Sequence, residues 1–318
     1  MTAAGPSGEP LGAGLDVMTE DELAAIRAAE GEAVVRHADR HWRATYPGFY
    51  QPVHLLARLR SAEVARPTPL CWGYRAALAD EDSDLANGSL PVYLLPAAPD
   101  NPEGSLSRNR RGDLRKCRRN VELRILREPS LLVEQGHAVF TSAARRLGHW
   151  RLLDERDYRR RVERRALHGR RLLVAGLIDG RLAGYMDAVA VDGILYPEEV
   201  FIATEALRTG IGTGLYVETI ATGIRSGRIR EVCNGLHTPE DADLCRFKES
   251  LGFRLVQVPA RAAIPGPIRA YIRRRRPATY YRLTGVMEDS WAGADAVPAG
   301  TGDTSAAAEA APNGGVET

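Results

Sequence analysis

Two Asp-Gly pairs, Asp179-Gly180 and Asp192-Gly193, separate three apolar runs: RLLVAGLID, RLAGYMDAVAVD and ILYPEEVFIAT. An Asp-Gly pair suits the two left-handed positions of a type I′ turn, whose twist matches that of the strands it joins. Turns this short cannot carry a parallel crossover, so the three runs must form an antiparallel meander. The glycine loop Leu207-Arg208-Thr209-Gly210-Ile211-Gly212-Thr213-Gly214 follows, then an expected helix at 214–226 and a strand at 230–236. A helix at 239–250, capped by Thr238 with Pro239 at its first position, leads through Gly252 into strand FRLVQV. A final strand, ATYYRLT, is expected beyond a long connection. This order predicts an α/β (α+β) fold: a central mixed, mostly antiparallel sheet flanked by helices.

Upstream, Thr19 and Glu22 form a capping-box pattern that predicts a helix over 19–45. A short helix at 52–60 and strands at 68–79 and 90–96 follow, with Asn87-Gly88 as a turn. The segment SLSRNRRGDLRKCRRN, 105–120, predicts a very basic helix running into strand VELRIL, and further helices are expected at 130–148 and 154–167. Residues 1–17 are rich in Gly, Ala and Pro, and no Lys or Arg follows Arg282. Such segments bury too little to fold, so both ends are expected to be disordered. The expected division is 1–17 disordered, 18–104 an N-terminal α/β region, 105–286 the main domain and 287–318 a disordered tail.

The net charge is +2, which excludes a global polycation. No apolar run reaches the ~18–20 residues of a membrane span, and the first residues lack a basic-then-apolar signal, so a cytoplasmic protein is expected. Cys71, Cys117, Cys233 and Cys245 are scattered without a CxxC pair, which argues against a zinc ribbon or disulfide framework. His37 and His41 stand four apart without a third ligand, so no metal site is expected. Of the 43 basic residues only Lys116 and Lys248 are lysines, so a lysine stands out as a residue retained for lysine chemistry.

A glycine run at the start of a helix presents unpaired N–H groups to an anion, favoured further by the helix dipole. The run is not a Walker A loop, since no Lys-Ser/Thr follows the last glycine, and it matches the Rossmann fingerprint poorly. A meander feeding this loop, followed by a helix ending in Phe247-Lys248-Glu249-Ser250-Leu251-Gly252-Phe253, resembles the GNAT family of acyl-CoA N-acyltransferases. The resemblance covers roughly 170–259. The position of the family's Gln/Arg is Leu207 here, with arginine displaced to Arg208, and Lys248 stands where the family has its general-acid tyrosine. The arginine-rich segment and the Phe-Lys-x-x-Leu-Gly-Phe pattern resemble the FemAB-like subgroup, which carries two GNAT-like halves. Residues 18–104 would then be an α/β extension or a degenerate second GNAT lobe.

The resemblance implies acetyl-CoA or another acyl-CoA as co-substrate and an amine of a small molecule or peptide as acceptor. Leu207 to Gly214 would hold the pyrophosphate, and backbone N–H groups of Ile202, Ala203 and Thr204 would contact the thioester carbonyl. Acyl transfer needs a proton acceptor for the amine. Strand alternation places Glu198 and Glu199 on opposite faces, and the family offset favours Glu198. His237, expected where the two central strands splay apart, is another base candidate, and the choice among the three stays open. Lys248 would protonate the leaving thiolate or anchor an anion. The basic stretches Arg108–Arg119 and Arg273–Arg276 suit phosphates. The FemAB-like comparison makes an aminoacyl-tRNA donor the second reading, and a non-catalytic acyl-CoA-binding module the third.

Overall fold

The computed structural model describes residues 15–97, 102–148, 150–166 and 169–287. Most of both termini, where disorder is expected, lies outside these residues. The described residues divide into two compact units: those within 15–17, 96–146 and 152–232 form the first, and those within 18–95, 147–151 and 233–287 the second. Residues 233–286 therefore group with 18–95 and not with the glycine loop, a different division from the expected boundary at 104/105.

In chain order the elements are β1 (Val17–Met18), α1 (Glu20–Ala29), β2 (Val34–His37), β3 (Arg40–Tyr46), β4 (Phe49–Pro52), β5 (Gly73–Ala77), β6 (Gly88–Pro96), α2 (Arg108–Asn120), β7 (Glu122–Leu126), α3 (Ser130–Leu147) and α4 (Glu155–Ala166). They continue with β8 (Leu172–Ile178), β9 (Arg181–Val191), β10 (Ile194–Ile202), α5 (Ile211–Arg225), β11 (Glu231–Leu236), α6 (Ala242–Ser250), β12 (Arg254–Ala263), α7 (Gly266–Arg275) and α8 (Pro277–Thr284).

In the first unit β7, β8, β9 and β10 form an antiparallel meander. Both Asp-Gly turns adopt the left-handed pair of angles: Asp179 φ 50° with Gly180 φ 76°, and Asp192 φ 47° with Gly193 φ 78°. The start of β11 adds in parallel to β10 at Ile194–Glu231 and Leu195–Val232. Helix α5 packs on this sheet through Ile211 and Leu215, both fully buried. Gly176 and Gly184 make room for Ile211, since a Cβ at either would press on its side chain.

The second unit also holds a mostly antiparallel sheet. Strands β2, β3 and β4 are antiparallel, β4 runs parallel to β5, and β12 lies between β5 and β6, antiparallel to both. Its core includes Trp42, Leu59 and Leu78 on one cluster and Phe49, Ile264 and Leu283 on another.

Four sequence expectations are corrected here. The helix beginning at the Thr19 capping box stops at Ala29, and Gly31, at φ 94°, takes the left-handed position past its end. Residues 34–46 form a hairpin instead, so His37 and His41 lie on two strands and not on one helix face. Residues 52–60 contain no regular helix. ATYYRLT is helix α8, with Pro277 at its first position and Gly285 in the left-handed conformation after it. Helix α6 is capped by Asp241, whose carboxylate accepts from the Leu244 N–H at 2.8 Å, and not by Thr238.

Candidate active site

The glycine loop closes on α5 without a side-chain cap. A short 3-10 segment, Thr204–Thr209, leads to Gly210, which sits at φ 80° and donates to the Leu207 carbonyl. The intrahelical bonds of α5 begin with Gly214 N–H to Gly210 O, at 3.1 Å. The N–H groups of Ile211, Gly212 and Thr213 thus have no intrahelical acceptor. Thr213 Oγ1, buried in the same turn, carries no hydrogen bond among the described residues. Arg208 is exposed beside the loop, while Thr209 turns its hydroxyl to Ala206 O at 2.7 Å.

The glycines also have a packing cause. A Cβ at Gly210 would collide with the backbone carbonyl of Asp113, and one at Gly214 with Cys117 Sγ, both on α2. At Gly212 a Cβ would meet only the end of one flexible side chain, Ile202 Cδ1, in a close contact at 3.2 Å.

At the end of β10, Ala203 N–H donates to Ala183 O at 2.9 Å and Thr204 N–H to Ser142 Oγ at 3.0 Å. Successive residues of an antiparallel strand point their polar groups to opposite edges. Ile202 N–H therefore faces away from β9 and is the one donor of the three given no acceptor among the described residues. Arg146 Nη1 donates to Ile202 O and Thr204 Oγ1, each at 2.9 Å. Ser142, Arg146 and Thr204, with His137, Thr141 and Arg145, line an open depression of about 630 Å³.

Further up β10 the register slips. Pro197 faces Ala188 and Glu199 faces Asp187, so Glu198 is the extra residue of a β-bulge. The bulge cancels the alternation expected from sequence: Arg165 reaches both Glu198, at 3.2 Å, and Glu199, at 3.3 Å. Arg171 bonds Glu198 at 2.7 Å and Asp187 at 3.2 Å, and Arg161 pairs with Glu199. Burial alone would raise the Asp187 carboxyl, but Arg165 and Arg171 outweigh it and bring it down to about 2. Beside this network the hydroxyls of Tyr158 and Tyr185 meet at 2.9 Å. Burial pushes Tyr158 up to about 12 and Tyr185 well above its usual range. Asp187, Arg165 and Arg171 were not singled out from sequence. The available signal was an aspartate inside the apolar run LAGYMDAVAV, which calls for a charged or hydrogen-bonding partner in the core.

His237 and Lys248 belong to the second unit, apart from the glycine loop and Glu198 in the chain's division. They are neighbours there. Lys248 is 3% exposed, donates to Leu236 O at 3.3 Å, and lies 5.2 Å from the Tyr93 ring centre. Burial first, and then the Lys248 cation, pull His237 below the usual imidazole range. His237 Nδ1 is 2.7 Å from the Tyr281 hydroxyl, and Tyr93 donates to Glu249 Oε1 at 3.2 Å.

Solved structures with this fold include FemX (TM-score 0.56, 10% identity, 84% of this chain and 95% of that one). The C-terminal domain of a putative lysylphosphatidylglycerol synthetase from Agrobacterium fabrum is similar over 84% of this chain and 99% of that one, at TM-score 0.52 and 11% identity. L-PGS from Bacillus licheniformis gives TM-score 0.53 at 10% identity, over 86% of this chain and 99% of that one. No family model matches the chain, and no curated protein matches it in sequence. The fold is GNAT-like, with FemAB-like structural relatives. Among the described residues no helix is long and apolar enough to cross a membrane.

Proposed function

We propose that this chain is a GNAT-type N-acyltransferase, of the EC 2.3.1 class, that moves an acyl group, acetyl in the first instance, from acyl-CoA to the amine of a small molecule or peptide. One observation carries the reading: the uncapped first turn of α5, where three amides have no intrahelical acceptor and the Thr213 hydroxyl has no hydrogen bond among the described residues. Such a turn holds a pyrophosphate through its N–H groups and dipole. Leu207, Arg208 and Thr209 lead the chain into it. Ile202 N–H is our donor to the thioester carbonyl, where negative charge grows as the amine attacks. Ala203 and Thr204, whose N–H groups are engaged elsewhere, hold that strand end in place.

Glu198 is our candidate for taking the amine's proton as the C–N bond forms and the C–S bond breaks. The thiolate leaves with little need of an acid, because a free thiol has a pKa near ~8.5. Lys248, buried against Leu236 O and Tyr93, therefore acts in this reading through its charge on His237.

A thermal-shift series with acetyl-CoA, longer acyl-CoAs and free CoA tests the donor. Ligand at ~100 times its Kd adds about 2.7 kcal/mol to stability. Gly212→Val should abolish the shift while leaving the fold intact. A melting curve unmoved by every CoA ester would reject the acyl-CoA reading.

An aminoacyl-tRNA donor is the second reading. The observation favouring it is α2, where Arg108, Arg115 and Arg119 are exposed and carry no ion pair among the described residues. Loss of transfer on RNase treatment would select it. Binding of CoA without transfer to any amine would leave an acyl-CoA-binding module.

A further inference from the structure

Helix α3 lines the depression at the end of β10 with His137, Thr141, Ser142, Arg145 and Arg146, and Thr204 lines it from beyond the strand. The wall carries two guanidiniums and no carboxylate. Arg146 is tied down: its Nη1 donates to Ile202 O and Thr204 Oγ1. Both acceptors are neutral oxygens, so neither cancels its charge. Glu205, which acts on Arg146 through its charge, is exposed and lies outside the lining. Arg145 is exposed and has no hydrogen bond or ion pair among the described residues. The hydroxyls of the wall also have protons to give. Ser142 Oγ accepts from Thr204 N–H at 3.0 Å, Thr204 Oγ1 accepts from Arg146, and the two oxygens lie 3.1 Å apart. One of their two protons joins them, and the other has no acceptor among the described residues. Nearby, His137 Nε2 is 2.9 Å from Leu153 O, which can only accept, so Nε2 carries a proton. Thr141 Oγ1, 3.3 Å from the same nitrogen, cannot donate to it, and its proton is likewise without an acceptor among the described residues. The N–H and C=O of one strand residue leave the chain on the same edge. Arg146, bonded to Ile202 O, therefore stands on the edge of β10 that Ile202 N–H faces, away from β9. That N–H is the donor assigned above to the thioester carbonyl, so the basic wall lies beside the reacting acyl group.

We infer that this depression binds an oxyanion, a carboxylate or a phosphate, carried by the acceptor, which is then an amine with a negatively charged group, such as an amino acid or an aminoalkyl phosphate. Arg145 grips the oxyanion together with the spare hydroxyl protons of Thr141 and the Ser142–Thr204 pair, all of them bonds strengthened by the ligand's charge. Arg146 adds charge while it holds the strand end. The acceptor assignment rests on the acyltransferase reading, whereas the oxyanion site does not.

Ligand-detected NMR on the full-length protein at low ionic strength reads the site without turnover. The probes are N-acetylglycine, its neutral match N-acetylglycinamide, and inorganic phosphate. The expected result is binding of an anionic probe and none of the amide, with the tighter of the two anions naming the group. Arg145→Ala should weaken that binding roughly 10–100-fold, the effect of losing a hydrogen bond to a charged group. Arg145→Lys should keep part of it, because the charge stays and the guanidinium fork is lost. Binding of neither anion, equal binding of the amide, or unchanged affinity in Arg145→Ala overturns the site and leaves Arg145 its place at a helix C-terminus alone. CoA affinity decides whose oxyanion it is. It should be the same in Arg145→Ala and the parent, and a matching loss would give the anion to the donor and overturn the acceptor assignment. If no CoA ester supports transfer, the acyltransferase reading fails, while the NMR titration still decides the oxyanion site.

Discussion

Arg171 Nη1 lies 2.7 Å from Glu198 Oε2, and the arginine side chain is 2% exposed. The same guanidinium bonds Asp187 on the neighbouring strand, so one buried cation ties the bulge of β10 to β9. Removing Arg171 leaves two carboxylates, Asp187 and Glu198, sharing Arg165, and breaking a buried ion pair in this way costs ~3–5 kcal/mol. Arg171→Ala should lose stability on that scale in urea unfolding. A loss below about 1 kcal/mol would mean that water reaches the site and replaces the guanidinium.

Acid should act on the same group. The folded Asp187 carboxyl titrates near 2, below its ordinary 3.8. A depressed carboxylate contributes stability that is fully present above the unfolded pKa and lost as pH falls through the folded one. Unfolding free energy should therefore decline between about pH 4 and pH 2, and Asp187→Asn should flatten that decline. Equal slopes in the two proteins would assign the acid sensitivity to other carboxylates.

The glycine loop should separate into structural and binding positions. Gly214→Ala drives a methyl into Cys117 Sγ. Overpacking of this kind costs ~1–3 kcal/mol, and Cys117→Ala should restore most of it by removing the sulfur. Gly210→Ala meets main chain at Asp113 and a left-handed φ, so no side-chain change should rescue it. A double mutant as unstable as Gly214→Ala alone would show that the collision is relieved by some other movement.

Glu198→Gln should lower turnover by ~10²–10⁴-fold with little change in donor affinity, because it removes proton acceptance and keeps shape. Glu199→Gln should be mild: its backbone N–H, fixed by Asp187 Oδ1 at 2.9 Å, holds the strand whichever side chain stands there. Steady-state kinetics on both variants checks this, and a reversed order would move the proton acceptor to Glu199.

The sequence made the meander and α5 legible because their signals are local. Asp179-Gly180 and Asp192-Gly193 carry their own turn geometry, and the loop glycines mark the helix start. Residues 34–46 depart from the expected helix because Gly31 stops α1, and the β-branched and aromatic residues beyond it form a hairpin. ATYYRLT shows the opposite failure. Its aromatic character suggests a strand, yet burial of Tyr280, Tyr281 and Leu283, bracketed by Pro277 and Gly285, makes it a helix. The bulge at Glu198 depends on Asp187 and on arginines from α4 and the segment before β8. No local pattern could show that two adjacent glutamates share one arginine.

Strand β12 sits between β5 and β6, pairing Ala77 with Ala260 on one side and Leu94 with Arg254 on the other. During synthesis, β5 and β6 leave the ribosome long before the strand that joins them. Until Arg254–Ala263 arrives, both expose unpaired edges that invite wrong partners, other chains included. Completion of this unit must therefore be a late, long-range event, slow relative to the locally connected meander. A nascent chain halted before Arg254 should lean on chaperones in a way that the finished chain does not.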